Sequence, residues 1–279
     1  MISELRHRDP LLFWTGALML LALLVVTLVS IGDTRQVLGI NPWIKPMKFM
    51  ISITIFLWTV AWFMPEIQRR PVVFDFNAPD PSPGPVVSGV SRIDKRQIVR
   101  WTIASAMVIE IIMITMQAAR GTTSHFNVMS AFDGMVFTIM GVAILFNTAA
   151  MILFLWIIRR DTPPQRAGYI WGIRFGVALF LLASLEGGLI IGNNAHSYPG
   201  PDGGPGLPLV NWSTDQGDLR VAHFFGMHAM QALPLLGFFL DRMRVAGARN
   251  VVFAVGILWL ALTGGLLAMA LNGRPLLAL

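Results

Sequence analysis

The chain has no cysteine in 279 residues, which excludes disulfides, thiolate metal ligands and cysteine nucleophiles and leaves the redox compartment open. Charge is scarce too: 13% of residues are charged against 55% hydrophobic, and mean hydropathy is +0.65. So little charge does not suit a soluble surface, and with apolar runs of roughly twenty residues the composition points to a multi-spanning helical membrane protein. Spans and short connectors use nearly the whole length, so any chemistry is expected among the helices. The paired histidines of a metallopeptidase helix, HExxH, are missing. The last apolar run, Val251 to Leu271, has no lysine for a retinal Schiff base.

What is present is a set of apolar runs near 11–31, 47–64, 101–120, 131–158, 168–192, 220–240 and 248–271, each long enough to cross about 30 Å at 1.5 Å per residue. The expected fold is all-α, one polytopic domain of seven transmembrane helices. The first run follows Arg6 and Arg8, is too long for a signal-peptide core and precedes no small-residue cleavage site, so it is expected to stay as an anchor. Placing the amino terminus in the cytoplasm puts 15 of the Lys and Arg residues inside and 6 outside, the asymmetry that orients inner-membrane proteins, and leaves the carboxyl terminus outside. The pI near 10.7 then reflects topology and contact with anionic lipid. No basic stripe interleaved with aromatics accompanies it, and nucleic acid is not expected as a partner.

Two connectors differ in character. Residues 65–100 include PVVFDFNAPDPSPGPVVSG, a proline-rich stretch that reads as a weakly ordered cytoplasmic linker. Residues 193–218 mix turn formers with Tyr198, Leu207, Leu209, Val210 and Trp212, as expected of an outer loop folded over the bundle as a lid. No internal repeat relates the two halves of the chain, which disfavours an inverted-repeat transporter.

Polar residues concentrate in the outer halves of the later spans. Arg220, His223, His228 and Gln231 share one broad face of the sixth span, although the two histidines stand about 140° apart and about 7.5 Å apart in depth, a poor chelating pair. On the third span Glu110, Gln117, Gly121 and Ser124 form a stripe climbing toward His125 and Asn127. The fourth span begins at Asp133 with Asn147 deeper, and the fifth carries Glu186 about 10 Å below its outer end. A carboxylate in such a bundle either pairs with a cation such as Arg120 or Arg220 or holds a proton near neutrality. The start of the second span, INPWIKPMKF, sets Lys45 and Lys48 at the outer interface beside Trp43, as an anion contact or as ordinary snorkelling lysines. His196 and His7 are expected to be solvated, and the methionines to fill the core.

These residues support three readings. In the first, a membrane oxidoreductase, His125, His223 or His228 ligates haem or another transition metal, iron or copper. Glu110, Asp133, Glu186 and Arg220 handle protons, Gln117, Arg120, Gln231, Lys45 and Lys48 line the cofactor, and a lipid-soluble molecule such as a quinone is the substrate. The segment RVAHFFGMHAMQ resembles the histidine-plus-glycine helices of haem-binding membrane proteins. In the second, the three histidines hold Zn²⁺ for hydrolysis of a lipid amide or ester. Ser124, His125, Asp133, His223 and His228 on seven spans are similar to the set in the alkaline ceramidase and adiponectin-receptor superfamily, from which the chain departs in three ways. Ser124 is adjacent to His125, the later pair is HxxxxH, and that pair lies on the sixth span. In the third, Glu110, Glu186 and Arg220 bind a small molecule and exchange protons with it, as in a proton-coupled transporter or binding protein.

Overall fold

The computed structural model describes residues 2–67, 94–158 and 162–278. Most of the linker at 65–100 lies outside the described residues. The chain is mostly helical: α1 (Ile2–Arg8), α2 (Pro10–Gly32), α3 (Ile44–Phe63), α4 (Lys95–Ala119), α5 (Ala131–Ile157), α6 (Ala167–Asn193), α7 (Leu219–Arg242) and α8 (Ala248–Leu271), with a two-stranded ribbon, β1 (Ser197–Tyr198) and β2 (Gly217–Asp218), between α6 and α7. From α2 onward the long helices alternate in direction, so the connectors 33–43, 120–130 and 194–218 meet at one end of the bundle.

Local chemistry starts the helices. Asp9, Asp94, Ser130 and Asp218 each accept a hydrogen bond from a first-turn amide, of Leu12, Arg96, Asp133 and Arg220 respectively, satisfying donors that the helix itself leaves open. α6 has no such residue. The amides of Gly168 and Tyr169 donate instead to Asp241 near the end of α7, at 3.0 and 2.7 Å.

Among the described residues six helical segments are long and apolar enough to cross a membrane: Pro10–Gly32, Ile44–Glu66, Lys95–Ala119, Ala131–Ile157, Pro164–Asn193 and Ala248–Leu271. The remaining expected span, the sixth at 220–240, is the 24-residue α7, which packs against α6 and α8 but whose His223, His228, Gln231 and Pro234 lower its hydropathy. The third span starts at Lys95, six residues before the expected start at Trp101, because Asp94 caps it. Leu18, Leu21, Leu24 and Leu28 on α2 and Leu145 and Phe146 on α5 are exposed, as for side chains whose solvent is lipid.

The tightest packing is between α6 and α7. A Cβ at Gly172 would stand 2.5 Å from the Leu233 carbonyl, one at Gly176 2.8 Å from that of Ala229, and one at Gly237 2.1 Å from that of Gly168. These small residues let the two backbones touch, the usual route to helix association where lipid removes the hydrophobic drive. The G-x-x-x-G-x-x-x-G spacing of Gly168, Gly172 and Gly176 marks this seam, which the search for polar residues passed over.

The loop 194–218 is anchored on every side. β1 pairs antiparallel with β2, Ser197 opposite Asp218 and Tyr198 opposite Gly217. The Val210 carbonyl accepts from Lys48 Nζ on α3 at 3.1 Å, the Trp212 ring meets Phe224 on α7 edge to face at 5.4 Å, and Gly217 is pressed against the Ala270 carbonyl of α8.

Candidate functional site

Beneath this loop three ionisable side chains from three parts of the chain form a line. Pro46 and Pro42 position the first turn of α3 so that Lys45 Nζ donates to His125 Nδ1 at 3.1 Å, and Ser124 Oγ approaches the same nitrogen at 3.1 Å. On the other side of the ring, His125 Nε2 stands 3.8 Å from Glu110 Oε1. An ammonium only donates, so Nδ1 is the acceptor and the neutral ring carries its proton on Nε2, facing Glu110. Phe49, Phe126 and Phe137 surround the imidazole with centroids 6.1 Å away, and Phe126 takes a left-handed φ of 57° at this turn. Burial foremost, and then the Lys45 charge, hold the His125 pKa well below the ordinary histidine value. Glu110 is 2% exposed, and its second oxygen, Oε2, is buried without a hydrogen bond. A carboxyl group sealed in this way keeps an unused acceptor or a proton in reserve.

Phe126 links this line to a second pair, its ring lying 5.1 Å from that of His196. His196, expected to be solvated, is partly buried and bonded: Nδ1 lies 2.5 Å from Asp202 Oδ2, while Asp202 Oδ1 accepts from the amides of His196 and Ser197 at 2.9 Å. The loop folds around this carboxylate, which is why the histidine is not free in water. Burial, opposed by the Asp202 hydrogen bond, lowers the His196 pKa. Burial raises the Asp202 carboxyl, but the bonds from His196 and Ser197 and the Arg220 charge more than offset it, and its pKa falls below the carboxylate range. Only the HxxxxxD spacing within the loop could have signalled the pair.

The other candidate residues fall into separate groups. Gln117, Arg120 and Asp133 make a closed knot between α4 and α5. Gln117 Nε2 donates to Asp133 Oδ1 at 2.9 Å, Arg120 donates to both partners, and Ser130 Oγ donates to Asp133 Oδ2 at 2.6 Å. Arg220 pairs with Asp218, the cap of its own helix, at 2.5 Å and also donates to the Asn211 carbonyl, so with Lys48 it holds the loop. It does not pair with Glu110 or Glu186, because its side chain leaves α7 at the level of the loop. His223 Nδ1 bonds the Ala183 carbonyl of α6 at 2.8 Å. His228 contacts Gln231 at 3.3 Å, and Gln231 donates to Thr59 on α3 at 3.2 Å. Glu186 stands apart, with Oε2 buried and unbonded. Among the described residues no three His, Asp or Glu side chains converge in a group that could hold a metal ion; His125, His223 and His228 occupy three different environments.

Comparison with protein-family models, with curated proteins and with solved structures finds no match.

Proposed function

We infer that this is a membrane protein that binds a small molecule at one face of the bilayer and exchanges a proton with it through Glu110, His125 and Lys45, as a proton-coupled binding protein or transporter. The observation that carries this reading is the row of Lys45, His125 and Glu110, a hydrogen bond at Nδ1 followed by a 3.8 Å approach of Nε2 to the carboxyl group, whose other oxygen is buried without a hydrogen bond. Such a line passes a proton without moving the backbone. The imidazole accepts at Nδ1 as it releases from Nε2, and a sealed carboxyl group is the natural end point. Intramembrane ionisable groups are costly unless used, and three in series are costlier than one.

The topology that goes with this reading has seven spans, α7 crossing with the other six because its polar side chains face the bundle. The 15-to-6 asymmetry of Lys and Arg puts the amino terminus in the cytoplasm and the site on the outer side of the inner membrane.

The test is the infrared spectrum of the protein in lipid nanodiscs, titrated from acid to alkaline pH. A protonated-carboxyl stretch that vanishes in Glu110→Gln and shifts in Lys45→Met is the expected result. A spectrum in which Glu110→Gln changes nothing would remove the proton-exchange reading.

One contact favours a second reading, the haem- or metal-dependent oxidoreductase. The Ala183 carbonyl takes up His223 Nδ1 and so presents Nε2 as a ligating atom, the arrangement that orients metal-bound histidines. The ring lies beside Gly187, where a Cβ would stand 3.6 Å from it, leaving room for a flat cofactor. A visible spectrum with iron, copper and zinc analysis decides this: a Soret band and stoichiometric iron, both lost in His223→Ala, would put the redox reading first. The zinc hydrolase lacks a comparable observation.

A further inference from the structure

At the end of the bundle opposite the Lys45–His125–Glu110 line, a cavity of about 290 Å³ opens between α1, α3, α6 and α7. Arg8, Arg166 and Arg242 line it together with Trp62, Tyr169 and Asp241. One carboxylate lines the cavity with these three guanidinium groups, and both Asp241 oxygens accept backbone amides at the start of α6, while Glu4 and Glu66 pair with Arg8 and Arg166 from beside it. Two of the arginines are held in place while keeping further N–H groups. Arg8 bonds Glu4 and the Trp62 carbonyl and lies 4.0 Å over the Trp62 ring, and Arg166 bonds Glu66 at 2.5 Å and lies 5.4 Å over Tyr169. Each guanidinium has five donors, so these contacts do not exhaust them. Arg242 forms no ion pair among the described residues.

The decisive group is Tyr169. The residue is 7% exposed and lines the cavity, and its buried hydroxyl, which Trp62 approaches as a donor, donates a hydrogen bond to no described residue. A buried donor beside three cations is matched by a compact, multiply charged acceptor. The geometry points to a phosphate-binding site, filled by a phospholipid headgroup or by a free phosphate. The aromatic and arginine lining is that of the interfacial belt, where phospholipid phosphates lie, and the volume suits a headgroup without its chains.

The experiment uses the full-length protein, delipidated in maltoside detergent and examined by native mass spectrometry and thermal unfolding. It is exposed in turn to phosphatidylglycerol, to diacylglycerol of the same chains, which lacks the phosphate, and to inorganic phosphate. The expected result is retention of phosphatidylglycerol and not of diacylglycerol, with an affinity about tenfold weaker in Arg242→Gln and in Tyr169→Phe, each of which removes one donor. Stabilisation by inorganic phosphate matching that by the lipid supports the site with the free anion as its source. Equal retention of the two lipids, or variants that fold and bind as the parent does, would overturn the assignment. Phenylalanine keeps the Tyr169 ring, and Arg242 forms no ion pair among the described residues, so both variants are expected to fold.

Discussion

Arg220 and Asp218 form a closed unit at the start of α7: the carboxylate accepts the Arg220 amide at 3.0 Å while the guanidinium returns to it at 2.9 and 2.5 Å. The same arginine reaches the Asn211 carbonyl, so helix start and loop closure depend on one side chain. Arg220→Ala leaves the Asp218 carboxylate, which has no exposed surface, without its counter-ion. Breaking a fully buried pair costs about 3–5 kcal/mol; with the arginine side chain 25% exposed, a loss of about 2–3 kcal/mol is expected. Thermal unfolding in detergent measures it, and an unchanged midpoint would show that the pair adds nothing.

Acid should weaken the protein in two steps. His125 and His196 both have pKa values below the ordinary histidine value, so the unfolded chain binds more protons than the folded one as pH drops below about 6.5. Stability is therefore fully present above that pH and falls as the pH is lowered, by up to about 1.4 kcal/mol per pH unit for each histidine. The lowered carboxyls Asp33, held mainly by the Arg35 hydrogen bond, and Asp202 add a further loss below about pH 4. Lys45→Met removes a cation 3.1 Å from His125, so the His125 pKa should rise and the first step shrink. Histidine NMR titration and unfolding as a function of pH check both effects; a flat profile between pH 7 and pH 5 would contradict them.

The α6–α7 seam should not accept a side chain. Gly172→Ala and Gly237→Ala each place a methyl group against backbone, 2.5 and 2.1 Å from a carbonyl oxygen, and backbone cannot swing aside as a side chain can. A loss of about 1–3 kcal/mol or more is expected for each. Gly188→Ala, at a position with open space around it, serves as the control and should be nearly neutral apart from a small helix-propensity gain.

Asp133→Asn tests whether the Gln117–Arg120–Asp133 knot is separate from the Lys45–His125–Glu110 line. Replacing a carboxylate that accepts from Gln117, Arg120 and Ser130 should cost about 1–3 kcal/mol of stability. The His125 titration should not move, since no bond joins the two groups. A shifted titration would show that they are coupled.

Several of these features are legible in the chain. Of the expected polar stripe, Glu110 and Gln117 are both buried on α4, because a period of seven residues returns to the same helix face, whereas Gly121 and Ser124 lie past the helix, which ends at Ala119. Their partners are not legible. Gln117 turns to α5 and Glu110 to a loop histidine, a divergence set by which neighbour lies beside each turn. His196 looked solvated because its loop is rich in glycine and proline, and only the fold around Asp202 shows it held. Three histidines in one half of the bundle suggest a shared centre, yet His223 bonds α6 while His228 contacts Phe224 and Gln231 of its own helix, in keeping with their separation on the helix.

The sequence by itself determined that this is a helical membrane protein, where its apolar helices run and which faces carry polar groups, because apolar length and helical period are local properties of the chain. The tertiary structure decided which polar groups meet: Lys45 with His125 and Glu110, Lys48 with the Val210 carbonyl, Asp241 with the start of α6. Those choices depend on distances of a few ångströms between segments far apart in the chain, and for Asp241 they follow from how closely the glycines of the α6–α7 seam allow the two helices to approach.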